Sequence, residues 1–255
     1  MLTKIGFINL DELKNSIKPE TILISIMFAN NEIGTIQPIK EVSKIARISN
    51  IIFHTDCVQA VGNVRINVDD FGIDLLSMSA HKFYGPKGVG ALYVRQGIEF
   101  QKIQDGGHQE KDKRAGTENV AGIVGLGKAI ELADYNLENY NSKLLKLRNY
   151  FIREIRTKYE NVKINGDLKQ RLPGNVNISF PNVDAEELLL KLDSQGICAS
   201  AGSACSSGSA EPSHVLTAIG LDRNLVGGSL RITFGEQNNI DEVRVLIDGI
   251  IRIIG

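Results

Sequence analysis

The chain has 255 residues, of which 42% are hydrophobic and 23% are charged, and its formal net charge is −1. This length suffices for one large domain or two smaller ones with a real core. The near-zero charge argues against nucleic acid or an anionic membrane as the main partner, because both favour a strongly basic surface.

The cysteines are sparse and odd in number: Cys57, Cys198 and Cys205. Such a count is typical of free thiols in a reducing compartment rather than of a disulfide framework. The first 14 residues lack the uninterrupted apolar stretch of a signal peptide. No run of 18 apolar residues is present, and we therefore expect a soluble, cytoplasmic protein with no membrane partner.

The first half of the chain alternates strands and helices. The predicted elements are a helix at 9–17, a strand at 21–29, a helix at 38–49 and strands at 51–56, 75–80 and 88–94. The apolar, β-branched run TILISIMFA at 21–29 is typical of a strand buried on both faces. The alternation predicts an α/β fold with a mainly parallel sheet and right-handed crossovers.

The second half has a different pattern. The predicted elements are a long helical stretch from 118 that breaks before a helix at 136–160, strands at 175–180, 196–200 and 230–234, and helices at 184–194, 212–219 and 239–254. This mixture predicts an α+β domain. We therefore expect a large domain at 1–135 and a smaller C-terminal domain at 136–255.

Lys82 lies in SAHKFYGPKG, directly after an apolar strand. Ligands of α/β folds bind at the carboxyl ends of the strands, and a lysine buried there can form a Schiff base with an aldehyde cofactor. Ser79 and His81 beside it are donors suited to a phosphate. Taken alone, however, a lysine after a strand is more often a solvated turn residue.

HTDCVQ at 54–59 ends another predicted strand. A pyridine ring is an effective electron sink only when its nitrogen stays protonated, and a buried carboxylate such as Asp56 would keep it so. Gln59 could donate to the phenolic oxygen of the same ring. By itself an aspartate here is more often a turn cap. Asp56 followed by Lys82, each ending a parallel strand, is the layout of the fold-type-I enzymes that use pyridoxal phosphate.

Five motifs extend this resemblance along nearly the whole chain. They are NNEIGTIQP at 30–38, HTDCVQAVG at 54–62, SMSAHKFYGPKGVGALYV at 77–94, GGHQEKDKRAGTENV at 106–120 and SAGSACSSGSAEPSHVL at 200–216. Their order and spacing resemble those of the NifS/IscS-type cysteine desulfurases, from about residue 6 to the C-terminus. The long cysteine segment is similar to the NifS/IscS branch rather than the SufS-like branch.

The resemblance implies a pyridoxal 5'-phosphate site and a fold-type-I transferase fold. It makes Lys82 the residue that binds the cofactor as a Schiff base. It pairs Asp56 with the pyridinium nitrogen and Gln59 with the phenolic oxygen. Ser79 and His81 would bind the phosphate.

The resemblance also implies four further roles. Asn31 would line the cofactor ring and the substrate. Thr117 would reach the phosphate of the partner subunit's cofactor, because these enzymes are homodimers with shared sites. Arg231 would bind the substrate carboxylate, for which a guanidinium is well suited. Cys205 would receive sulfur as a persulfide.

The implied reaction converts L-cysteine to L-alanine and passes the Cys205 persulfide to an acceptor such as an iron–sulfur scaffold, for cluster assembly or thiolation. The small residues around Cys205 predict a mobile loop suited to that delivery. Cys198, in the apolar run GICAS, and Cys57, beside Asp56, are interpreted as packed thiols. The cysteine spacing does not indicate a zinc site, so we expect no metal.

Members of this family begin with a longer segment that carries part of the phosphate site and a histidine that stacks on the ring. We therefore expect the N-terminal part of the large domain to be missing. Three alternatives to the desulfurase follow. They are another fold-type-I reaction, such as selenocysteine lyase or an aminotransferase; a non-catalytic fragment that dimerises or binds a scaffold; and a chain that aggregates through exposed sheet edges.

Overall fold

The computed structural model describes residues 2–202 and 212–255. Its strands are β1 Leu23–Met27, β2 Ile52–Asp56, β3 Leu75–Ser79, β4 Gly90–Val94, β5 Lys163–Ile164, β6 Asn175–Ser179 and β7 Ser229–Thr233. Its helices are α1 Leu10–Ser16, α2 Ile39–Ile48, α3 Gln109–Asp112, α4 Val120–Lys158, α5 Ala185–Asp193, α6 His214–Ala218, α7 Arg223–Val226 and α8 Ile240–Ile254.

The chain divides into two compact units. The first, here called the β5–β7 unit, contains residues 1–16, 29–38 and 138–255, and the second, the β1–β4 unit, contains 17–28 and 39–137. The domain boundary near residue 135 stays a prediction; two segments of the expected large domain, 1–16 and 29–38, lie in the β5–β7 unit. Residues 1–16 and 29–38 belong to the β5–β7 unit because their hydrogen bonds are made there, as between Ile36 and Gln170.

The four-stranded sheet has the order β1-β2-β3-β4, with the first three strands parallel and β4 antiparallel to β3. Helix α2 connects β1 to β2 along the chain and packs against β2. This is the arrangement expected of a strand–helix–strand unit with parallel strands. The α/β fold class is confirmed. The sheet is mixed because GPKG closes a hairpin, so β4 returns alongside β3.

One face of this sheet is open. Leu23 and Met27 of β1 are 47% and 42% exposed, and Leu92 of β4 is 50% exposed. The opposite face is packed, with Ile24 and Phe53 buried. The prediction that the run at 21–29 is buried on both faces is therefore wrong for β1, whose residues alternate between the packed and the open face.

The three-stranded sheet of β5, β6 and β7 is antiparallel and has a closed core. Val176, Ile178 and Leu230 point into an apolar cluster that helices α4, α5 and α8 complete. All five residues of β6 are buried, although Asn175, Asn177 and Ser179 are polar. These three side chains form a polar layer on the second face of the sheet, where they are hydrogen bonded.

Local signals explain two of the helices around this core. Asn239 caps α8 with a capping box, in which its side chain accepts from the Glu242 amide and the Glu242 side chain accepts from the Asn239 amide. Asp184 caps α5 by accepting from the amides of Glu186 and Glu187. Both helices begin within one residue of their predicted start.

Two predictions about elements were wrong, and three short elements were not predicted. The break expected before residue 136 is absent, because α4 continues without interruption from Val120 to Lys158. The run at 196–200 is not a strand; only Ser200 pairs there, through an isolated bridge to Arg231. The short elements β5, α3 and α7 were not predicted, since two or four residues are too short to show a hydrophobic period. Among the helices of the described residues, none is long and apolar enough to cross a membrane.

Candidate cofactor and substrate sites

The carboxyl ends of β2 and β3 bring the first candidate residues to one edge of the sheet. Asp56, the last residue of β2, pairs in register with Ser77, and Ser79 ends β3 on the same open face. A single 3-10 turn, Ala80–Phe83, follows directly and carries Lys82. The sheet thus places a carboxylate, a hydroxyl and an amine at the edge where parallel sheets bind ligands.

The polar groups at this edge are only partly satisfied. Ser79 Oγ and His81 Nδ1 are 2.8 Å apart and share a hydrogen bond. Asp56 Oδ1 accepts from the Val58 amide at 2.8 Å. Lys82 and Gln59 have no hydrogen bond or ion pair from their side chains to any other residue that the structure describes. These groups therefore remain available to a ligand.

The burial expected for the lysine and the aspartate is not seen. Lys82, His81 and Asp56 are exposed, whereas Ser79 and Gln59 are partly buried. The reason is geometric: Asp56 lies on the open face of the sheet, and Lys82 follows the strand in an exposed turn. The chemical types match the prediction, but their burial does not.

Thr117 belongs to an exposed segment between β4 and α4. Three consecutive residues of this segment, Glu110, Lys111 and Asp112, have positive φ angles of 51°, 55° and 63°. Such a run is unusual for residues with side chains. Lys102 Nζ lies 2.7 Å from Asp112 Oδ1 and helps hold it. Thr117 itself makes no hydrogen bond to another described residue.

Asn31 and Arg231 lie in the β5–β7 unit, where the structure brings them together. Arg231 Nη1 donates to the Asn31 carbonyl oxygen at 3.4 Å, and Nη2 donates to Ser200 Oγ at 3.4 Å. Both contacts are long, and the Arg231 side chain is only partly buried. The guanidinium is thus oriented at the surface of the polar layer, as binding of a carboxylate requires.

Cys205 lies outside the described residues. The other two thiols differ from each other. Cys57 is fully buried behind β2, and burial raises the pKa of its thiol to about 12, as expected of a packed cysteine. Cys198 is exposed, so the interpretation of it as a packed thiol is wrong. The reason is that the expected strand at 196–200 does not form.

A row of polar side chains on the open sheet face was not predicted. His54 Nδ1 lies 2.7 Å from Ser25 Oγ, and its Nε2 lies 3.2 Å from Ser77 Oγ. The row crosses β1, β2 and β3 two residues before Asp56, and it fixes the orientation of the His54 ring. Only the register between strands reveals it, because the three residues are distant in sequence.

Comparison with known proteins gives the family. The model of the class-V aminotransferases matches residues 1–246. The chain belongs to this family. Members named cysteine desulfurase, like the class-V aminotransferases in general, depend on pyridoxal phosphate. Relatives named cysteine desulfurase confirm the resemblance that the five motifs indicated.

Individual relatives in the family cover the chain almost completely. A cysteine desulfurase IscS of Clostridium botulinum is 55% identical over 251 residues, which are 98% of this chain and 63% of the relative. A NifS-like protein of Rickettsia africae has a solved structure with a TM-score of 0.90, 33% identity and coverage of 99% of this chain and 68% of its own. The structure of SspA in complex with cysteine has a TM-score of 0.76, 35% identity and coverage of 92% and 65%. This chain thus spans less than two thirds of the Clostridium relative's length.

The residues at the β2–β3 edge fit the cofactor of the family. The Lys82 amine has no partner among the described residues, so it is available to an aldehyde. Asp56 offers a carboxylate to a ring nitrogen, and Ser79 and His81 offer a hydroxyl and an imidazole to a phosphate. This chain thus has at the β2–β3 edge the chemical groups that binding of pyridoxal phosphate requires.

Proposed function

We propose that this chain carries the catalytic residues of a cysteine desulfurase that converts L-cysteine to L-alanine and stores the sulfur on Cys205. The observation that carries the proposal is the group of Lys82, Asp56 and Ser79 at one sheet edge, with the lysine amine unpartnered among the described residues. The 55% identity to a cysteine desulfurase over 98% of the chain supports it.

The cofactor would be held by residues of the β1–β4 unit. Lys82 would bind it covalently through Nζ, Asp56 would bind its ring nitrogen and Gln59 its phenolic oxygen, and Ser79 and His81 would bind its phosphate. When bound, pyridoxal phosphate supplies an electron sink for negative charge on the substrate α-carbon. Lys82 Nζ, once released by the substrate amine, would take the α-proton of L-cysteine and return a proton to the carbon skeleton.

Substrate and sulfur would be handled by residues of the β5–β7 unit. Arg231 would bind the substrate carboxylate, with Asn31 beside it. The Cys205 thiolate would attack the substrate sulfur: a sulfur–sulfur bond forms, the carbon–sulfur bond breaks with its electron pair left on carbon, and a proton then gives L-alanine. A similar solved structure, SspA, holds cysteine, which supports this choice of substrate.

The partners follow from the same proposal. A homodimer would bring Thr117 of one subunit to the phosphate site of the other. The persulfide on Cys205 would pass to a sulfur acceptor, such as an iron–sulfur scaffold in the cytoplasm. The exposure of Thr117 and its lack of a partner among the described residues support a contact made outside this chain.

The first experiment measures the visible absorbance of the purified chain with added pyridoxal phosphate. We expect a yellow band in the wild type that disappears in Lys82→Ala. The matched control is Lys87→Ala, an exposed lysine of the same hairpin turn, which should keep the band. If the two variants lose the band equally, or the wild type has none, Lys82 does not hold the cofactor in this chain.

The second measurement is the formation of alanine and persulfide from L-cysteine. Cys205→Ala should abolish persulfide formation, whereas Cys198→Ala, which removes an exposed thiol, should not. Alanine production also separates a desulfurase from an aminotransferase, which would give a keto acid instead. A wild type with a cofactor band but no alanine would contradict the proposed reaction, and activity on selenocysteine alone would favour a selenocysteine lyase.

A further inference from the structure

Asn177 is a fully buried side chain to which the proposed chemistry gives no role. It lies in the middle of β6, within the polar layer. Its amide is bonded on both sides: Nδ2 donates to the Glu32 carbonyl oxygen at 3.4 Å, and Oδ1 accepts from Asn165 Nδ2 at 2.8 Å. An amide held in this way has one orientation, because turning it over would place oxygen against oxygen and nitrogen against nitrogen.

The same orientation leaves a neighbouring polar atom without a partner. Asn165 Nδ2 donates to Asn177 Oδ1 and also to Ser179 Oγ, the latter at 2.7 Å. Asn165 Oδ1 is buried and accepts no hydrogen bond from the residues that the structure describes. An unsatisfied buried acceptor destabilises a fold. The layer therefore keeps its donors directed at the Glu32 carbonyl at a cost in stability, which indicates a constraint other than stability.

Glu32 lies in a turn whose groups are held from several directions. Asn175 Nδ2 donates to the same Glu32 carbonyl oxygen at 3.1 Å, so this oxygen has two buried amide donors. Asn30 Oδ1 accepts from the amides of Glu32 and Ile33, at 2.9 Å each. Ser213 Oγ donates to the Glu32 carboxylate at 2.6 Å. The conformation of this turn is therefore set in part by the polar layer.

Arg231 contacts the carbonyl group that precedes the Glu32 carbonyl. Its Nη1 donates to the Asn31 carbonyl oxygen at 3.4 Å. Only the two backbone dihedrals of Glu32 separate the two carbonyl groups, so fixing one restricts the other. Arg231 also pairs in register with Asn177 across β6 and β7, and paired residues of antiparallel strands have their side chains on the same face. Asn177 thus neighbours the arginine directly and also through the turn.

We propose that Asn177 is a positioning residue for Arg231. It holds the Glu32 carbonyl, and through it the Asn31 carbonyl that orients the guanidinium for a substrate carboxylate. The assignment of that carboxylate to L-cysteine rests on the proposed function. The ordering of the guanidinium does not, and it is measured separately below.

Two replacements on the same face of β6 separate this role from stability. Asn177→Leu has a similar volume but no donor, and it leaves the Glu32 carbonyl with Asn175 alone. Ser179→Ala is the matched control: Ser179 is equally buried, and it makes side-chain hydrogen bonds but none to the Glu32 turn. Both variants should therefore melt below the wild-type temperature. Asn177→Ser, a smaller change that adds no apolar bulk, repeats the measurements if Asn177→Leu does not fold.

The first readout needs neither cofactor nor substrate. NMR relaxation of the Arg231 Nε–H group reports the order of the guanidinium, and Arg231→Lys assigns its signal. We expect an order parameter above about 0.6 in the wild type and in Ser179→Ala, and below about 0.6 in Asn177→Leu. A flexible guanidinium in the wild type, no change in Asn177→Leu, or an equal decrease in Ser179→Ala would each overturn the proposal.

The second readout connects the ordering of Arg231 to the substrate. Asn177→Leu should raise KM for L-cysteine about threefold to tenfold with kcat unchanged, as the loss of one hydrogen bond would, whereas Ser179→Ala should leave KM within about twofold of the wild type. In an Arg231→Lys background, Asn177→Leu should change KM by less than about twofold, because the residue through which it acts is gone. A decrease in kcat alone, or an equal change in KM in both backgrounds, would contradict action through Arg231.

The two readouts fail separately. If the wild type makes no alanine from L-cysteine while the Arg231 signal behaves as expected, the proposed function falls and the positioning of Arg231 by Asn177 stands. If alanine forms but the Arg231 signal does not respond to Asn177→Leu, the proposed function stands and the positioning role falls.

Discussion

Strand β6, at the centre of the β5–β7 sheet, is buried on both faces, whereas the β1–β4 sheet is packed on one face and open on the other. The candidate residues follow this difference. Lys82, Asp56 and Ser79, which would bind the cofactor, lie at the edge of the open face, and Arg231, which would bind the substrate, lies at a buried polar layer. A polar group at an open face can hydrogen bond to water, whereas a polar group in a buried layer destabilises the fold unless another protein group hydrogen bonds to it.

The largest expected effect is on the free energy of unfolding, when one apolar side chain associated with each sheet is replaced by alanine. Phe180, directly after β6, is completely buried in the core, and Leu92 of β4 is 50% exposed. Phe180→Ala should lower the free energy of unfolding by about 3–5 kcal/mol. Leu92→Ala should change it by less than about 0.5 kcal/mol. Urea denaturation measures both; similar losses would mean that the β1–β4 face is covered in solution.

An intermediate effect on the free energy of unfolding is expected when either of two glycines with positive φ angles is replaced by alanine. Gly34, two residues after Glu32, and Gly88, in the hairpin turn, have φ angles of 71° and 79°. A methyl group on Gly34 would lie 2.4 Å from Asn175 Oδ1, whereas one on Gly88 would meet nothing within 4 Å.

Both alanine variants should lose about 1 kcal/mol of unfolding free energy to the left-handed backbone. Gly34→Ala should lose about 2 kcal/mol more, because the Asn175 side chain must move and the polar layer is disturbed. Denaturation curves of the two variants test this. Equal losses of unfolding free energy would show that Gly34 and the Asn175 side chain of the polar layer are not in close contact.

The third effect concerns the packed side of the β1–β4 unit; it is the smallest at neutral pH and grows as the pH rises. Burial raises the pKa of Cys57 from 9.0 to about 12. The folded thiol therefore keeps its proton while the unfolded thiol ionises, so its contribution to stability is complete below pH 9.0 and is lost as the pH rises toward 12.

Relative to Cys57→Ala, the wild type should lose up to about 1.4 kcal/mol of unfolding free energy for each pH unit in that range. Denaturation from about pH 8 to about pH 11 measures the slope for both proteins. Cys198→Ala, at an exposed thiol, should behave as the wild type does. A difference that stays constant over this range would mean that Cys57 is accessible to solvent.

The sequence determined the elements whose signals are local. The strands at β1, β2, β3, β4, β6 and β7 and the helices α1, α2, α5, α6 and α8 were predicted within two or three residues, because apolar periodicity, caps and glycine turns act over short distances. The motif order also indicated the family, since each motif is read directly along the chain.

Only the tertiary structure decided which groups meet and which are buried. Lys82 and Asp56 were expected to be buried and are exposed, because the packing of a sheet face depends on the elements that cover it rather than on the strand itself. The Ser25–His54–Ser77 row and the link from Glu32 to Ser213 join residues as far as 181 positions apart. Such contacts depend on strand register and turn geometry, which no local pattern of side chains specifies.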